Sequence, residues 1–274
     1  MGSIYSTAYL MGGLGNQMFQ IAHAVSQGLK HNIKSVFLPH AFTPSPQSKQ
    51  TNNYINNIFR NITFVNEISD KKKLSEHHFN DPKINVTFDK TIEFNGYYQS
   101  SKNFFGFDNF IKDMFSPSDE FTEKIYKKYP QLKNKITTSI HIRRGDYLSI
   151  KNVLPVIDIT YINYCINHLN ETEVFFIFSD DKEWVRNNIK NDKVIIVDDM
   201  KDYEDMWMIS LCKNNIMSNS SFSWWGSFLN KNINKRVLTP SIWFGPNGLH
   251  PHFNIYESEW EKINVKYVDG FLKI

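Results

Sequence analysis

The chain has 274 residues, 41% hydrophobic and 22% charged, enough to bury a full core as one large α/β domain or as two compact halves. Its formal net charge of +3 is spread thinly, with Lys71-Lys72-Lys73 the longest basic run, so there is no nucleic-acid footprint and those lysines read as a solvated loop. No apolar run reaches the ~18 residues of a membrane span, and Met1 to Leu10 has neither the basic start nor the long apolar stretch of a secretory signal, so a soluble cytoplasmic chain is expected.

Thr7 to Met11 is a short apolar strand that runs into Gly12-Gly13-Leu14-Gly15-Asn16-Gln17, behind which Met18, Ala22, Val25 and Leu29 recur at helical spacing. A strand, a glycine turn and a helix in that order let a ligand approach the backbone and offer it the unpaired N–H groups of a helix start. Met18 stands where a dinucleotide fingerprint needs its third glycine, so the loop is a weak nicotinamide-cofactor motif. Asn16 and Gln17 place two amides at the mouth of the loop, as ligand contacts or as simple helix caps. Ser35 to Leu38 reads as a second strand that closes a βαβ unit.

Residues 39 to 90 carry little pattern. Pro39, Pro44 and Pro46 mark a loop, and the Asn-rich stretch from Asn52 to Asn57 has few apolar positions. His77 and His78 lack partners at ligand spacing and read as surface residues. A strand through Ile92 and Phe94 ends at Gly96 and is followed by Tyr97, Tyr98, Gln99 and Ser100; two rings and an amide suit either a sugar's mixed surface or an aromatic core. Phe104 to Phe115 is a further aromatic set, and Ser116-Pro117-Ser118-Asp119 starts a helix running to about Tyr129. Polar Pro130 to Asn134 is the candidate boundary, dividing the chain into residues 1–132 and 133–274.

The second half alternates regularly. The β-branched run Ile136 to Ile142 stops at Arg143-Arg144-Gly145-Asp146, and then come a helix (Tyr161 to Leu169), a strand (Val174 to Phe178), a helix (Lys182 to Ile189), a strand (Val194 to Val197), a helix (Glu204 to Leu211) and the short strand Asn215 to Met217. Cys165 and Cys212 fall inside apolar helical segments, which fits buried thiols better than a disulfide or a metal site. Such alternation predicts a parallel sheet with helices on both faces, with ligands beyond the carboxyl ends of its strands. Those ends carry Arg143-Arg144-Gly145-Asp146, Ser179-Asp180-Asp181, Asp198-Asp199 and Ser218-Asn219-Ser220-Ser221. After the strand Arg236 to Leu238 and the segment Pro240 to Gly248, a helix-poor tail is expected to fold back on the first half. The sequons at Asn61, Asn85, Asn170 and Asn219 are what an asparagine-rich chain makes by chance, and none is read as glycosylated.

Two adjacent arginines call for an anion, because the guanidinium fork donates bidentately to phosphate or carboxylate and stays charged; a structural Arg-Asp pair is the other reading. Ser218, Ser220, Ser221 and Ser223 exceed what a helix cap needs and favour a ligand at the helix start that leads into Trp224 and Trp225. Arginines, a serine-rich helix start and paired aspartates match a nucleotide diphosphate, a carboxylate accepting from the N–H edge of guanine. No Gly-x4-Gly-Lys-Ser/Thr is present, which excludes a P-loop mechanism, and no Asp-x-Asp occurs where a divalent ion would bridge a sugar nucleotide. An adhesion role for Arg144-Gly145-Asp146 fails because the tripeptide follows a buried strand.

Five blocks now stand together: Gly13-Leu14-Gly15-Asn16-Gln17-Met18-Phe19-Gln20, Gly96-Tyr97-Tyr98-Gln99-Ser100, His141-Ile142-Arg143-Arg144-Gly145-Asp146-Tyr147, Phe178-Ser179-Asp180-Asp181 and Ser218-Asn219-Ser220-Ser221-Phe222-Ser223-Trp224-Trp225-Gly226. In this order they resemble the α-1,2-fucosyltransferases of glycosyltransferase family 11, over nearly the whole chain apart from Pro39 to Lys90.

The resemblance implies an α/β fold of GT-B type, two Rossmann-like halves facing a cleft, with an acceptor-side first half and a GDP-fucose-binding second half. It implies a GDP-β-L-fucose donor, no cofactor and no metal, inversion at the anomeric carbon, and a galactose-containing glycan acceptor. Arg143 would bind the β-phosphate, His141 the ribose or phosphate, and Asn16 donor or acceptor near the reacting carbon. Gly13, Gly15, Gln17 and Arg144 would line the donor site, with Asp146 holding an arginine, Arg144 being the one favoured. Asp180 or Asp181 would read guanine, and Ser220, Ser221, Phe222 and Ser223 would bracket phosphates and base. Glu93 and Asp108 lie in the right half for a base, and neither is singled out. A binding module of the same fold that has lost turnover is the alternative.

Overall fold

A computed structural model describes residues 3–39, 49–76, 86–249 and 253–274. The chain divides into two compact units, one of residues 1–116 with 250–257 and one of residues 117–249 with 258–274. The division falls earlier than the polar stretch at 130–134, because the two helices α3 (Asp119–Lys128) and α4 (Gln131–Asn134) group with the strands C-terminal to them. Of the tail, 250–257 groups with the first unit and the rest with the second. His77, His78, Pro44, Pro46 and the sequon at Asn85 lie outside the described residues.

In the first unit, β1 (Ser6–Ala8), β2 (Lys71–Ser75) and β3 (Thr91–Asn95) form a parallel sheet in the order β1-β3-β2. The first strand is shorter than its apolar run: Tyr9 N still donates to Phe94 O at 2.9 Å, but Met11 is tied to Gln20, its N donating to Gln20 Oε1 at 2.9 Å and its O accepting from Gln20 Nε2 at 3.3 Å. The expected strand at Ser35 to Leu38 is reduced to isolated parallel bridges, Ser35 to Ser6 of the sheet and Phe37 to Phe64 outside it. Lys71 to Lys73 is the start of an edge strand and not a solvated loop; backbone pairing to β3 holds it, and Lys71 is ion-paired with Glu93. Lysines on such an edge deter further strands from adding to it. Helix α1 (Leu14–His31) packs on β1, and α2 (Asp108–Phe115) follows a 3-10 turn at Ser101–Phe104. Tyr54, Ile58 and Phe59 are fully buried beside Phe115, inside a stretch whose sequence carries little pattern.

The second unit is built on six parallel strands: β4 (Thr137–Ile142), β6 (Val174–Ser179), β7 (Val194–Ile196), β8 (Asn214–Ile216), β9 (Val237–Pro240) and β10 (Glu261–Ile263). Their order across the sheet is β7-β6-β4-β8-β9-β10, so the chain starts in the middle, winds to one edge and then returns to wind to the other. That is the Rossmann order, and its reversal point lies between β4 and β8. A small sheet pairs β5 (Val156–Ile157) with β12 (Phe271–Lys273), and β12 with β11 (Lys266–Val268).

Alternate residues of β4 face opposite ways. Ile140 and Ile142 enter an apolar core with Ile162 and Cys165 of α5 (Ile159–His168) and Val185 of α6 (Lys182–Asn188). On the other face, Ser139 Oγ accepts from Asn215 Nδ2, which also donates to Ile209 O of α7 (Asp202–Leu211), and His141 meets α8 (Ser221–Leu229). Both thiols are free and buried, as their apolar settings predict. Among the described residues no helix is long and apolar enough to cross a membrane.

Candidate functional site

Strand β4 delivers its last residues to the reversal point of the sheet. The side chain of Arg143 sits between two carboxylates, 2.6 Å from Asp146 Oδ1 and 2.8 Å from Asp180 Oδ2, and lies over the ring of Tyr147. Arg144 turns away: its Nε is 3.0 Å from Asp181 Oδ2 and its guanidinium stacks 3.9 Å from Trp184. The favoured pairing of Arg144 with Asp146 is therefore corrected to Arg143 with Asp146 and Arg144 with Asp181. Exposure separates the two roles, since the side chain of Arg143 keeps 30% of its surface and that of Arg144 keeps 10%. Arg143 is the more accessible of the two arginines.

Both aspartates after β6 are occupied. Asp180 Oδ1 accepts from Arg144 N at 2.9 Å, while Asp181 Oδ1 caps α6 by accepting from Trp184 N at 3.0 Å. A Cβ on Gly145 would stand 2.8 Å from Asp180 Oδ2, so a side chain there would displace that carboxylate from Arg143. Beyond β7, Asp198 is bound by Lys182 at 3.2 Å and Arg186 at 2.9 Å; burial opposes its ionisation, but these two cations prevail and hold its carboxyl below the usual range.

His141 ends β4 on the face that meets α8. Its Nδ1 is 3.0 Å from Ser218 Oγ and 2.5 Å from Ser223 Oγ, and its ring lies against Phe222. Burial, helped by the charge of Arg143, lowers its pKa to about 3, so the ring is neutral at any working pH. Ser220 is the N-cap of α8, its Oγ accepting from Phe222 N at 3.3 Å, while Ser221 and Phe222 remain half-buried. The hydroxyl of Ser223 is buried against His141 and Ser218.

Two further residues join these loops, and no sequence pattern distinguishes them. Tyr147 is buried, donates to Asn219 O at 3.3 Å, and has its phenol pushed up to about 12, chiefly by burial against the pull of Arg143. Asn219 donates to Pro155 O and Trp243 O, so this sequon is a buried structural tie.

In the first unit the glycine loop and the Gly96 segment meet: Gln99 Nε2 donates to Asn16 Oδ1 at 2.6 Å. Gly12 has φ +78°, and a Cβ on it would lie 2.6 Å from Asn16 Nδ2. Gly13 caps α1 without a side chain, and Gly15 is buried in the first turn. Gln17 is a correction, since it does not stand at the mouth of the loop. It is fully buried, donates to Gly12 O and Lys49 O, and accepts from Thr51 Oγ1, a strut that fixes the loop from behind. Tyr98 belongs to the core reading, stacked 4.0 Å from His23 with φ +51°. Burial lowers the pKa of His23 to about 3 against a backbone contact with Asn103. Glu93 is buried and ion-paired, and Asp108 accepts from Gly106 N, so neither is set apart as a base. Among the described residues no group of His, Cys, Asp and Glu side chains is arranged to hold a metal.

A half-buried guanidinium paired with two carboxylates thus stands near a neutral imidazole and a capped helix start at the reversal point of a Rossmann-ordered sheet, the place where ligands gather in such sheets. The model of the family described as glycosyl transferase family 11 matches residues 3–264. The chain belongs to glycosyl transferase family 11. The match includes residues 39 to 90, which the motif blocks leave uncovered.

This family-11 glycosyltransferase is 30% identical to the alpha-1,2-colitosyltransferase of Escherichia coli, over 93% of this chain and 98% of that one. It is also 30% identical to the O-antigen biosynthesis glycosyltransferase WbnK of Escherichia coli, over 87% and 94% of the two chains. The galactoside alpha-(1,2)-fucosyltransferase 1 of Ateles belzebuth is 24% identical over 81% of this chain and 64% of its own. Among solved structures, the fucosyltransferase NodZ from Bradyrhizobium matches with a TM-score of 0.57 at 11% identity, covering 82% of this chain and 93% of that one. NodZ soaked with GDP-fucose matches at 0.55 and 11%, covering 83% and 93%. The family-11 chain thus has the α/β fold of GT-B type, with parallel sheets in each unit.

Proposed function

We propose that this glycosyltransferase moves L-fucose from GDP-β-L-fucose, with inversion and without a metal or other cofactor, to the 2-hydroxyl of a terminal galactose in a glycan. The observation that carries the reading is the grouping of half-buried Arg143, neutral His141 and the Ser220-capped start of α8 at the reversal point between β4 and β8. A nucleotide diphosphate is held at such a point by cations and helix N–H groups.

Transfer is a single displacement through an oxocarbenium-like transition state. Negative charge grows on the departing GDP, and Arg143 with the α8 start stabilises it from fixed positions, an effect worth several kcal/mol in such sites. Asp146 and Asp180 already share the Arg143 fork, so its other donors serve the diphosphate. The Arg143 and Arg144 contacts of Asp180 and Asp181 argue against either aspartate as the reader of guanine. Asn16, held by Gln99, is the first-unit residue proposed to meet donor or acceptor.

Incubation with GDP-fucose and a panel of galactosides in EDTA, followed by linkage analysis, tests this. GDP release and a fucosyl-α-1,2-galactoside are expected; a requirement for Mn²⁺ or tight GDP binding without transfer overturns it. A second reading, favoured by the colitosyltransferase relative, is transfer of colitose. GDP-colitose consumed faster than GDP-fucose by the same preparation decides for it.

A further inference from the structure

The ring of His141 rests against two buried serine hydroxyls. Nδ1, Ser218 Oγ and Ser223 Oγ close a triangle with sides of 3.0, 2.5 and 3.0 Å, and neither hydroxyl has another partner among the described residues. Counting protons in the triangle distinguishes the two neutral tautomers. If Nδ1 carries the ring proton it can only donate, and the two hydroxyl protons are left with the single Oγ to Oγ contact between them. One proton then stays unpaired in a buried place, which is costly. If Nδ1 is bare, one serine donates to it and the other donates to the first serine, so every proton has an acceptor.

A ring held neutral by burial then carries its one proton on Nε2. That nitrogen makes no hydrogen bond to a described residue, and unlike Nε2 of His23 it is not sealed inside the protein. We infer that Ser218 and Ser223 are positioning residues which fix His141 as its Nε2–H tautomer, so that the open edge of the ring is a hydrogen-bond donor to an oxygen of the bound nucleotide diphosphate. The identity of the acceptor oxygen rests on the proposed function; the tautomer does not. In this arrangement His141 cannot take a proton from the acceptor hydroxyl at Nε2. It complements Arg143 as a neutral donor whose strength does not change with pH near neutrality.

Long-range ¹H–¹⁵N spectra of the full chain labelled at histidine read the tautomer directly, with His141 assigned by His141→Asn. The wild type is expected to show the Nε2–H form alone, and Ser223→Thr to keep it. In Ser218→Ala/Ser223→Ala the Nδ1–H form is expected to appear, with GDP binding about tenfold weaker, the worth of one net hydrogen bond. An Nδ1–H ring in the wild type, or a pure Nε2–H ring in the double variant, overturns the inference. Should the double variant fail to fold, the wild-type tautomer decides alone. A wild-type Nε2–H signal that GDP leaves unmoved upholds the serine pair and brings down the nucleotide reading of the site.

Discussion

Arg143 does two jobs, and its replacements separate them. Both oxygens of Asp146 are buried without a hydrogen bond to a described residue, so the Arg143 ion pair is what compensates this carboxylate. Arg143→Ala is therefore expected to lower stability as well as activity, an unpaired buried charge costing about 3–5 kcal/mol. Arg143→Lys keeps the charge but loses the fork: its melting curve should stay near that of wild type while kcat falls roughly 10²–10³-fold. Asp180→Asn tests what that carboxylate is for. An amide oxygen still accepts from Arg144 N, and one negative charge beside Arg143 is gone, so calorimetry should show GDP binding severalfold tighter; a reader of guanine would give weaker binding. Elsewhere in this unit, Asp205 is raised to about 7, first by burial and then by Asp202, Glu204 and Asp198 against the pull of Lys182. Its folded pKa lies above the unfolded value near 4, so the folded state holds a proton the unfolded state releases, and that stability is lost as pH rises through about 7. Thermal melts should show the gain of Asp205→Asn over wild type growing from about pH 4 to about pH 7 and levelling off above it. The pair of arginines is legible in the motif, and the resemblance singles out Arg143, but which carboxylate each would meet is not legible. Which carboxylate meets which of two adjacent guanidiniums depends on how the ends of β4 and β6 align, and no local spacing encodes that.

At the scale of elements, α7 and α8 touch through Gly226. A Cβ on that glycine would lie 2.5 Å from Ile209 Cγ2, so the helices approach as closely as they do only because residue 226 has no side chain. Gly226→Ala should cost about 1–3 kcal/mol by overpacking, and Ile209→Ala in the same chain should return part of it, a coupling that denaturant melts of the cycle would measure. Because α8 begins with the Ser220 cap, the single variant should also weaken GDP binding, and restored affinity in the double variant would trace the loss to helix position. In the second unit the helices and central strands are legible within a residue or two, since β6 is a continuous apolar run and α5 keeps helical spacing, whereas β1 is shorter than its pattern, Ser35 to Leu38 makes only isolated bridges, and α2 shows in the sequence only as an aromatic set. The lysine strand β2 was missed because backbone pairing, not side-chain pattern, makes it a strand. Tyr54, Ile58 and Phe59 were missed because irregular segments pack without a period.

At the scale of the molecule, residues beyond 249 serve both units. In the second unit, β12 accepts from the β5 segment: Val156 N donates to Gly270 O at 3.0 Å and Asp158 N to Leu272 O at 2.9 Å. Deleting residues 261–274 removes these acceptors and bares the edge of β9, so hydrogen exchange should show the amides of Val156 and Asp158 losing protection and the protein should aggregate more readily. Survival of that protection would show that β5 is held by other means. The alternation of elements announced the second unit, and the expected return of the tail to the first half holds for 250–257, whereas the joining of its last strands to the second unit is not legible, because a helix-poor stretch does not state which partner its strands join. The same crossing bears on biosynthesis. A chain emerging from the ribosome usually closes its first domain while the second is still being made. Here neither unit has all of its parts until the stretch beyond residue 249 has emerged, so both wait on that stretch. During that interval β9 presents an open edge, the kind of surface to which another strand can add.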